Sequence, residues 1–191
     1  MKQLIDSNYR MPHYSIDPGE FMVSGERTLL ESVAGKTLVV ALYHEKLKMG
    51  GLANFIVPGN IESGSIAEST VCETGIGYIE FLLADIVKSG GRRDELVAKI
   101  FGASCKRSDH DFCKTNIQFV HEYFENEKIP VIAEDLGREY YRRVLFVPVT
   151  GELYSKRILS VPEMQLIYKR EKDYIDREIN GLQTETEFIM F

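Results

Sequence analysis

The chain has 191 residues, of which 44% are hydrophobic, and a formal net charge of −6. That length is typical of one domain with a full hydrophobic core, and the acidic balance argues against a nucleic-acid interface, which requires a basic surface. No apolar run approaches the roughly 18 residues that span a bilayer, and the N-terminus lacks the apolar stretch of a secretion signal. We therefore expect a cytoplasmic protein without membrane insertion.

The first sixty residues contain the clearest strand signals. Residues 1–20 are polar and are expected to be irregular, and residues 21–33 to hold a short strand and a turn. Residues 37–43 are almost wholly apolar, which predicts a strand that is buried on both faces. After a polar connection and a glycine pair, residues 52–57 predict a second buried strand, in which Asn54 is the polar residue.

The rest of the chain alternates helical and strand periodicity. We expect loops at 60–69 and 102–114, and surface positions for His44 and His121. The C-terminal helix has a narrow apolar stripe that includes Met164, Ile167 and Ile175; packing on its own domain is favoured over docking a partner. Helices are predicted at 74–89, 115–127 and 162–179 (ending at Gly181), strands at 129–134, 143–148 and 152–159, and a short helix running into a strand at 94–101.

The chain has three cysteines, and their odd number without a CxxC motif indicates free thiols in a reducing compartment. Cys105, His110 and Cys113 lie within nine residues and are a candidate zinc site, although a polar loop is the favoured interpretation and a disulfide would require an oxidising compartment. Cys72 precedes the first predicted helix, whose dipole lowers the pKa of a nearby thiol; it is a candidate nucleophile, with a buried structural cysteine as the alternative.

Five segments, in order, read VVALYHEKLKMGGLANFIVPG, LVAKIFGAS, NI, FVHEYFENEKIPVIAEDLG and RRVLFVPVTGELYSKRI. Together they resemble, over residues 33–159, the CheD family of chemoreceptor glutamine deamidases. The resemblance implies an α/β/β/α sandwich of mixed sheets flanked by helices, formed by residues 1–159, with a mostly helical C-terminal extension at 160–191. It also implies cysteine-based catalysis without a cofactor, and chemoreceptor cytoplasmic helices or a CheC-type phosphatase as partners.

The chain departs from the family at the positions that would carry the reaction. The resemblance places Thr37 at the nucleophilic cysteine, Asn54 at the histidine that activates it, and Glu31 at the threonine that orients the histidine. A hydroxyl requires a strong base, and an amide does not accept a proton near neutral pH. Bulky residues also replace two later glycines of the family pattern, at Arg138 and Tyr141.

Three interpretations stay open. The favoured one is a CheD-like protein that has lost the deamidase reaction and acts by binding chemotaxis partners. The second is a working amidohydrolase whose nucleophile is Cys72 or Thr37. The third is an unrelated role for the fold, in which the C-terminal helix mediates interaction or dimerisation.

Overall fold

Two five-stranded mixed sheets pack face to face in the computed structural model, which describes residues 2–4, 11–56, 75–105 and 110–184. Three helices and one 3₁₀ turn (Arg93–Glu95) accompany the sheets in these ranges. The strands are β1 (Lys2–Leu4), β2 (His13–Ser15), β3 (Glu20–Ser24), β4 (Leu29–Ala34), β5 (Leu38–His44), β6 (Met49–Phe55), β7 (Leu96–Gly102), β8 (Val131–Leu136), β9 (Arg142–Val147) and β10 (Glu152–Arg157), and the helices are α1 (Gly75–Lys88), α2 (His110–Asn126) and α3 (Val161–Thr184).

The first sheet has the strand order β1-β2-β4-β9-β10, and the second has the order β3-β6-β5-β7-β8. Neighbouring strands are antiparallel except for the pairs β2–β4 and β7–β8. The prediction of an α/β fold built from two mixed sheets with a C-terminal helix is confirmed. The division of the chain at residue 160 stays a prediction.

Strand β5 is buried on both faces, as its unbroken apolar sequence predicts. Leu38, Val40 and Leu42 pack with the apolar faces of α1 and α2, whereas Val39 and Ala41 pack against the first sheet. Alternate side chains of a strand point to opposite faces, so a central strand between a helical layer and a second sheet has no polar face. This strand anchors the segment that precedes it, which is the centre of the candidate site.

Helix α1 matches its predicted position to within one residue. Ile79, Leu82, Leu83 and Ile86 are fully buried, and burial of each aliphatic side chain contributes on the order of 2 kcal/mol. Gly90 has a φ of +95° directly after the helix, where its N–H donates to the carbonyl of Val87. A residue without Cβ adopts this conformation without strain, and so the glycine ends the helix as predicted.

Several predicted boundaries are wrong. The lead-in contains the short strands β1 and β2, and the segment at 21–33 contains two strands, β3 and β4, that belong to different sheets. Helix α2 begins at His110, within the predicted loop, and α3 continues through Gly181. Three-residue strands are too short to show a periodicity, and one glycine costs a helix only about 1 kcal/mol.

Helix α3 lies across one end of the sandwich. Strands β4 and β6 end there, and β5, β3 and β9 begin there. From its first turn onward α3 contacts Arg143 at the start of β9 through Glu163, and then Gly19 beside β3 through Tyr174. The favoured prediction that this helix packs on its own domain is confirmed. None of the helices in the described ranges combines the length and apolar composition that a bilayer crossing requires.

Candidate functional site

The segment between β4 and β5 carries the chain from one sheet to the other at the end that α3 covers. It consists of Gly35, Lys36 and Thr37. On one side it is fixed by the residues that follow β7: the Ala103 N–H donates to the Thr37 carbonyl at 3.0 Å and the Ser104 N–H donates to the Gly35 carbonyl at 2.7 Å. Because the Gly35 and Thr37 carbonyls face the residues after β7, the N–H groups of the segment face away from β7.

Those N–H groups point at the carboxylate of Glu171 in α3. It accepts hydrogen bonds from the backbone N–H groups of Gly35 at 3.0 Å, Lys36 at 3.0 Å and Thr37 at 3.3 Å. The hydroxyl of Thr37 donates a fourth at 3.1 Å. A Cβ at Gly35 would collide with both carboxylate oxygens, so only glycine allows this approach. We call Gly35, Lys36 and Thr37 the carboxylate cradle.

Glu171 is only 1% exposed, which determines its protonation. Burial raises the pKa of this carboxyl group above its ordinary value, and the hydrogen bonds from the cradle oppose that shift without cancelling it. Desolvation disfavours the charged form, whereas donors favour it. The group therefore holds its proton to a higher pH than an exposed glutamate does.

Thr37 and Asn54, the two positions that the resemblance assigns to the cysteine and the histidine, lie on the same face of the second sheet. Val39 pairs with Asn54 across β5 and β6, and Thr37 lies two residues before Val39, so Thr37 is a diagonal neighbour of Asn54. Both residues are fully buried. The sheet register thus brings the two positions to the same end of the sandwich, although their assignment as a site stays a prediction.

Asn54 is committed to the first sheet through its amide nitrogen. That nitrogen donates to the Ser32 hydroxyl at 2.9 Å and to the Val33 carbonyl at 3.2 Å. Its side-chain oxygen is buried and accepts no hydrogen bond from the residues that the structure describes. Asn54 lines a cavity of about 150 Å³ whose wall also includes Glu171.

Glu31, the position assigned to the orienting threonine, belongs to a charged network on β4. Its carboxylate lies 2.8 Å from His13 Nε2 and also contacts Arg143. Arg143 in turn contacts Glu163 in the first turn of α3. Glu31 thus couples the sheet to α3 through two ion pairs, which is a structural role that an orienting threonine could not perform.

The cysteine predictions have different outcomes. Cys72 lies outside the described residues. Cys105 and Cys113 lie next to each other with Cα atoms 5.9 Å apart, a separation that a disulfide can bridge, which the expectation of free thiols did not anticipate. His110 begins α2, and no metal-binding cluster occurs among the described residues. Part of the segment that carries the candidate zinc site lies outside the described residues, so the site at Cys105, His110 and Cys113 stays a prediction.

Histidines elsewhere are engaged with carboxylates. The ring of His121 is exposed and lies 2.8 Å from Glu134, in agreement with a surface position. His44 was expected at the surface too, but it is 1% exposed. Its Nε2 atom accepts a hydrogen bond from the Arg92 N–H at 3.2 Å. That prediction is wrong because the turn after β5 folds over the imidazole, which caps backbone N–H groups there.

Two residues of the site were not identified from the sequence. Glu171 occupies the helical stripe of Ile167 and Tyr174, both of which are buried, and an acid at that spacing is the signal that could have revealed it. Arg142 is fully buried, and its guanidinium donates to the Gly102 carbonyl at 3.2 Å and pairs with Asp135 at 2.9 Å. It supports the end of β7, directly behind the cradle.

Comparisons with known proteins agree on one family. Residues 58–157 match the model of the family described as CheD chemotactic sensory transduction. A relative from Shewanella oneidensis, named "Probable chemoreceptor glutamine deamidase CheD 1", is 31% identical over 88% of this chain and 83% of its own length. A relative from Chromobacterium violaceum, also named a probable chemoreceptor glutamine deamidase, is 31% identical over 82% of this chain and 79% of its own length. A third, from Saccharophagus degradans, is 28% identical over 90% of this chain and 81% of its own length.

The matched region of the family model begins after the candidate site. Glu31, Thr37 and Asn54 all precede residue 58, and Glu171 follows residue 157. The relatives, by contrast, align over most of the chain. On both comparisons, this chain belongs to the CheD family.

Proposed function

We propose that this protein is a chemotaxis component that retains the CheD scaffold but has lost glutamine deamidation, and that it acts by binding partners. The observation that carries the proposal is how Thr37 and Asn54, the positions that the resemblance assigns to the reacting cysteine and histidine, are hydrogen-bonded. Thr37 donates its hydroxyl hydrogen bond to Glu171, and Asn54 donates its amide hydrogen bonds to Ser32 and Val33. Neither side chain is exposed.

The chemistry of these groups supports the loss of activity. Deamidation by this family, as the resemblance implies, needs a thiolate that attacks the amide carbon and a base that arms it. A threonine hydroxyl is a far weaker acid than a thiol, and a carboxamide cannot take its proton. Losing one member of such a pair commonly costs about three orders of magnitude in rate.

The partner class follows from the relatives. They are named as chemoreceptor glutamine deamidases, and the family resemblance implies chemoreceptor cytoplasmic helices and a CheC-type phosphatase as partners. We propose the same partners for this chain, in the cytoplasm. Binding does not require the cysteine–histidine pair, so a protein without it can retain this role.

The direct test is incubation with a chemoreceptor cytoplasmic fragment, followed by mass spectrometry of its glutamine-containing peptides. Deamidation adds about 1 Da per glutamine because a hydroxyl replaces an amino group. We expect no gain with this protein and a gain with the Shewanella oneidensis relative as the positive control. Co-purification with the fragment or with a CheC-type phosphatase, without turnover, is the expected result. Turnover at the rate of the control would overturn the proposal.

A gain-of-function series tests whether the geometry survives. The double variant Thr37→Cys/Asn54→His restores the two reacting groups, and the triple variant with Glu171→Ala also removes the carboxylate that contacts position 37. We expect activity in the triple variant above that of the double variant, because Glu171 otherwise occupies the space in front of the new thiol. A folded triple variant without activity would show that the groove has changed as well.

A second candidate function is an amidohydrolase with a relocated nucleophile, and one contact favours it. The Thr37 hydroxyl is hydrogen-bonded to Glu171, whose raised pKa moves it toward the range of a general base. Against it, the same carboxylate fills the position that a substrate amide would need. Turnover that Thr37→Val abolishes would support this candidate, and turnover that only Cys72→Ala abolishes would identify the cysteine as the nucleophile.

A further inference from the structure

The cradle has the features of a ligand site that is already filled. Four donors converge on one carboxylate, at 3.0 to 3.3 Å, and the acceptor is almost wholly removed from water. Consecutive backbone N–H groups that face one anion form a fixed concavity of positive partial charge. The groups that build it come from residues 35–37, and the anion comes from a helix that is distant in sequence.

Over residues 161–177, whose side chains the structure describes, the rest of α3 is held by few buried groups. Ile167 and Tyr174 are the buried apolar side chains of the helix that flank Glu171, and Glu163 and Arg170 make its ion pairs with Arg143 and Asp17. Ion pairs between partly exposed side chains contribute about 1 kcal/mol or less each. Glu171 is therefore the most specific attachment of α3 to the sandwich.

The cavity beside the cradle adds a second observation. Its wall includes Asn54, whose buried side-chain oxygen accepts nothing from the described residues, and α3 contributes Leu166, Ile167 and Arg170 to the wall. The helix therefore forms one wall of a cavity that the residues of the candidate site also line.

We propose that the Gly35–Thr37 cradle is a carboxylate-binding site and that α3 is its resident ligand, presenting Glu171 from within the same chain. The ligand class is an acidic side chain carried on a helix, and whatever else enters the site must displace α3. This inference rests on the proposed function only in treating Thr37 and Asn54 as the site. Its tests measure no turnover, so their failure is distinct from that of the proposed function.

The first test is chemical rescue in the full chain. Glu171→Ala leaves the cradle without its carboxylate, and sodium propionate supplies one in solution. A ligand that binds only the folded form raises the melting temperature. We expect propionate to raise the melting temperature of Glu171→Ala by several degrees relative to sodium chloride at equal ionic strength. Wild type and Asp173→Asn, which changes an exposed acid of the same helix, should respond equally to the two salts.

The second test adds the helix as a separate molecule. A fluorescein-labelled peptide of residues 161–184 is titrated against full-length Glu171→Ala, Glu171→Gln and wild-type protein. We expect the peptide to bind the Glu171→Ala protein at least tenfold more tightly than the same peptide carrying Glu171→Ala, and at least tenfold more tightly than it binds wild type. Equal binding of both peptides, no binding, or the absence of propionate rescue in a folded variant would each overturn the proposal.

Should Glu171→Ala fail to fold, the Glu171→Gln protein replaces it, because glutamine keeps one acceptor oxygen for the cradle. Hydrogen exchange at the amides of residues 35–37 is then compared with wild type, with and without excess peptide. Faster exchange in the variant, slowed by the wild-type peptide alone, is expected. Exchange equal to wild type would show that the carboxylate does not hold the helix in place.

Discussion

The carboxylate of Glu171 is bound to both the backbone N–H and the hydroxyl of Thr37, although 134 positions separate the two residues. Helix α3 thus covers Thr37, the position that the resemblance assigns to the family's nucleophile. The interaction joins α3, the last of the described elements, to the segment that precedes the central strand β5.

Replacing Glu171 by alanine should destabilise the fold. The change leaves three N–H groups and one hydroxyl of a buried segment without their acceptor, and each unsatisfied donor costs about 1–3 kcal/mol where water cannot replace it. Because Glu171 lines a cavity, water reaches part of the vacated space and satisfies some of these donors. We therefore expect a loss of about 3 kcal/mol in the free energy of unfolding, measured by urea denaturation. Asp173→Ala, at an exposed position of the same helix, should lie within about 0.5 kcal/mol of wild type.

The pair Gly35 and Glu171 should show strong coupling in a double-mutant cycle. Gly35→Ala places a methyl group against the carboxylate, and overpacking of this kind costs about 1–3 kcal/mol. In the Glu171→Ala background the same methyl group meets no carboxylate, so its cost should be much smaller. Urea denaturation of the four proteins gives the coupling energy. Additive effects would contradict the contact.

The contribution of Glu171 to the stability of the protein should fall as the pH rises above the ordinary pKa of a glutamate, about 4.3. Burial raises the pKa of Glu171 in the folded state, so the unfolded chain releases this proton at a lower pH than the folded chain does. Between the two pKa values, each rise in pH therefore favours the unfolded state, and the loss of stability is complete above the folded pKa. Below the unfolded pKa both states hold the proton, and the contribution of this group to folding is fully present.

The comparison with Glu171→Gln isolates that effect, because an amide does not titrate. The difference in unfolding free energy between wild type and this variant should shrink as the pH rises through the window, and a constant difference would contradict the raised pKa. The comparison cancels the titration of the other charged groups that line the same cavity. They are Asp17, Glu31, Arg143, Glu163 and Arg170.

Arg142 should be the most sensitive of the arginines on β9 and β10. Its guanidinium is fully buried, pairs with Asp135 and holds the Gly102 carbonyl next to the cradle. Removing one partner of a fully buried charged pair costs about 3–5 kcal/mol. Because the Asp135 side chain is 27% exposed, we expect Arg142→Ala to lose about 3 kcal/mol, the lower end of that range, in urea denaturation. Arg157→Ala is the control, because Arg157 stacks on the same Tyr140 ring from an exposed position and should cost less than about 1 kcal/mol.

The central elements of the fold could be predicted from the sequence, because their signals are local. The unbroken apolar run of β5 reflects burial on both faces of the strand, and the spacing of apolar residues in α1 reflects burial of one face of the helix. Both elements were located to within a residue or two. The short strands of the lead-in carry no such signal. β2 exists because it adds parallel to β4, which is a long-range pairing that no window of sequence contains.

The candidate site shows the same contrast. Thr37 and Asn54 were found through a resemblance to motifs, and the sheet register placed them together. Glu171 was missed because it lies among charged residues of an amphipathic helix, where an acid usually faces water. Only the packed position of α3 shows that this one acid is buried. His44 was expected at the surface because its neighbours in sequence are polar. Its hydrogen-bond donor, the Arg92 N–H, is remote in sequence, and so the sequence near His44 gave no sign that the imidazole is buried.

The contact between Gly35 and Glu171 has a consequence for how related chains can diverge. A side chain larger than hydrogen at position 35 and an acid at position 171 exclude each other. The two positions should therefore change in concert, and a descendant that gains a side chain at position 35 should first lose its acid in α3. Related sequences should then show correlated substitution at positions 35 and 171.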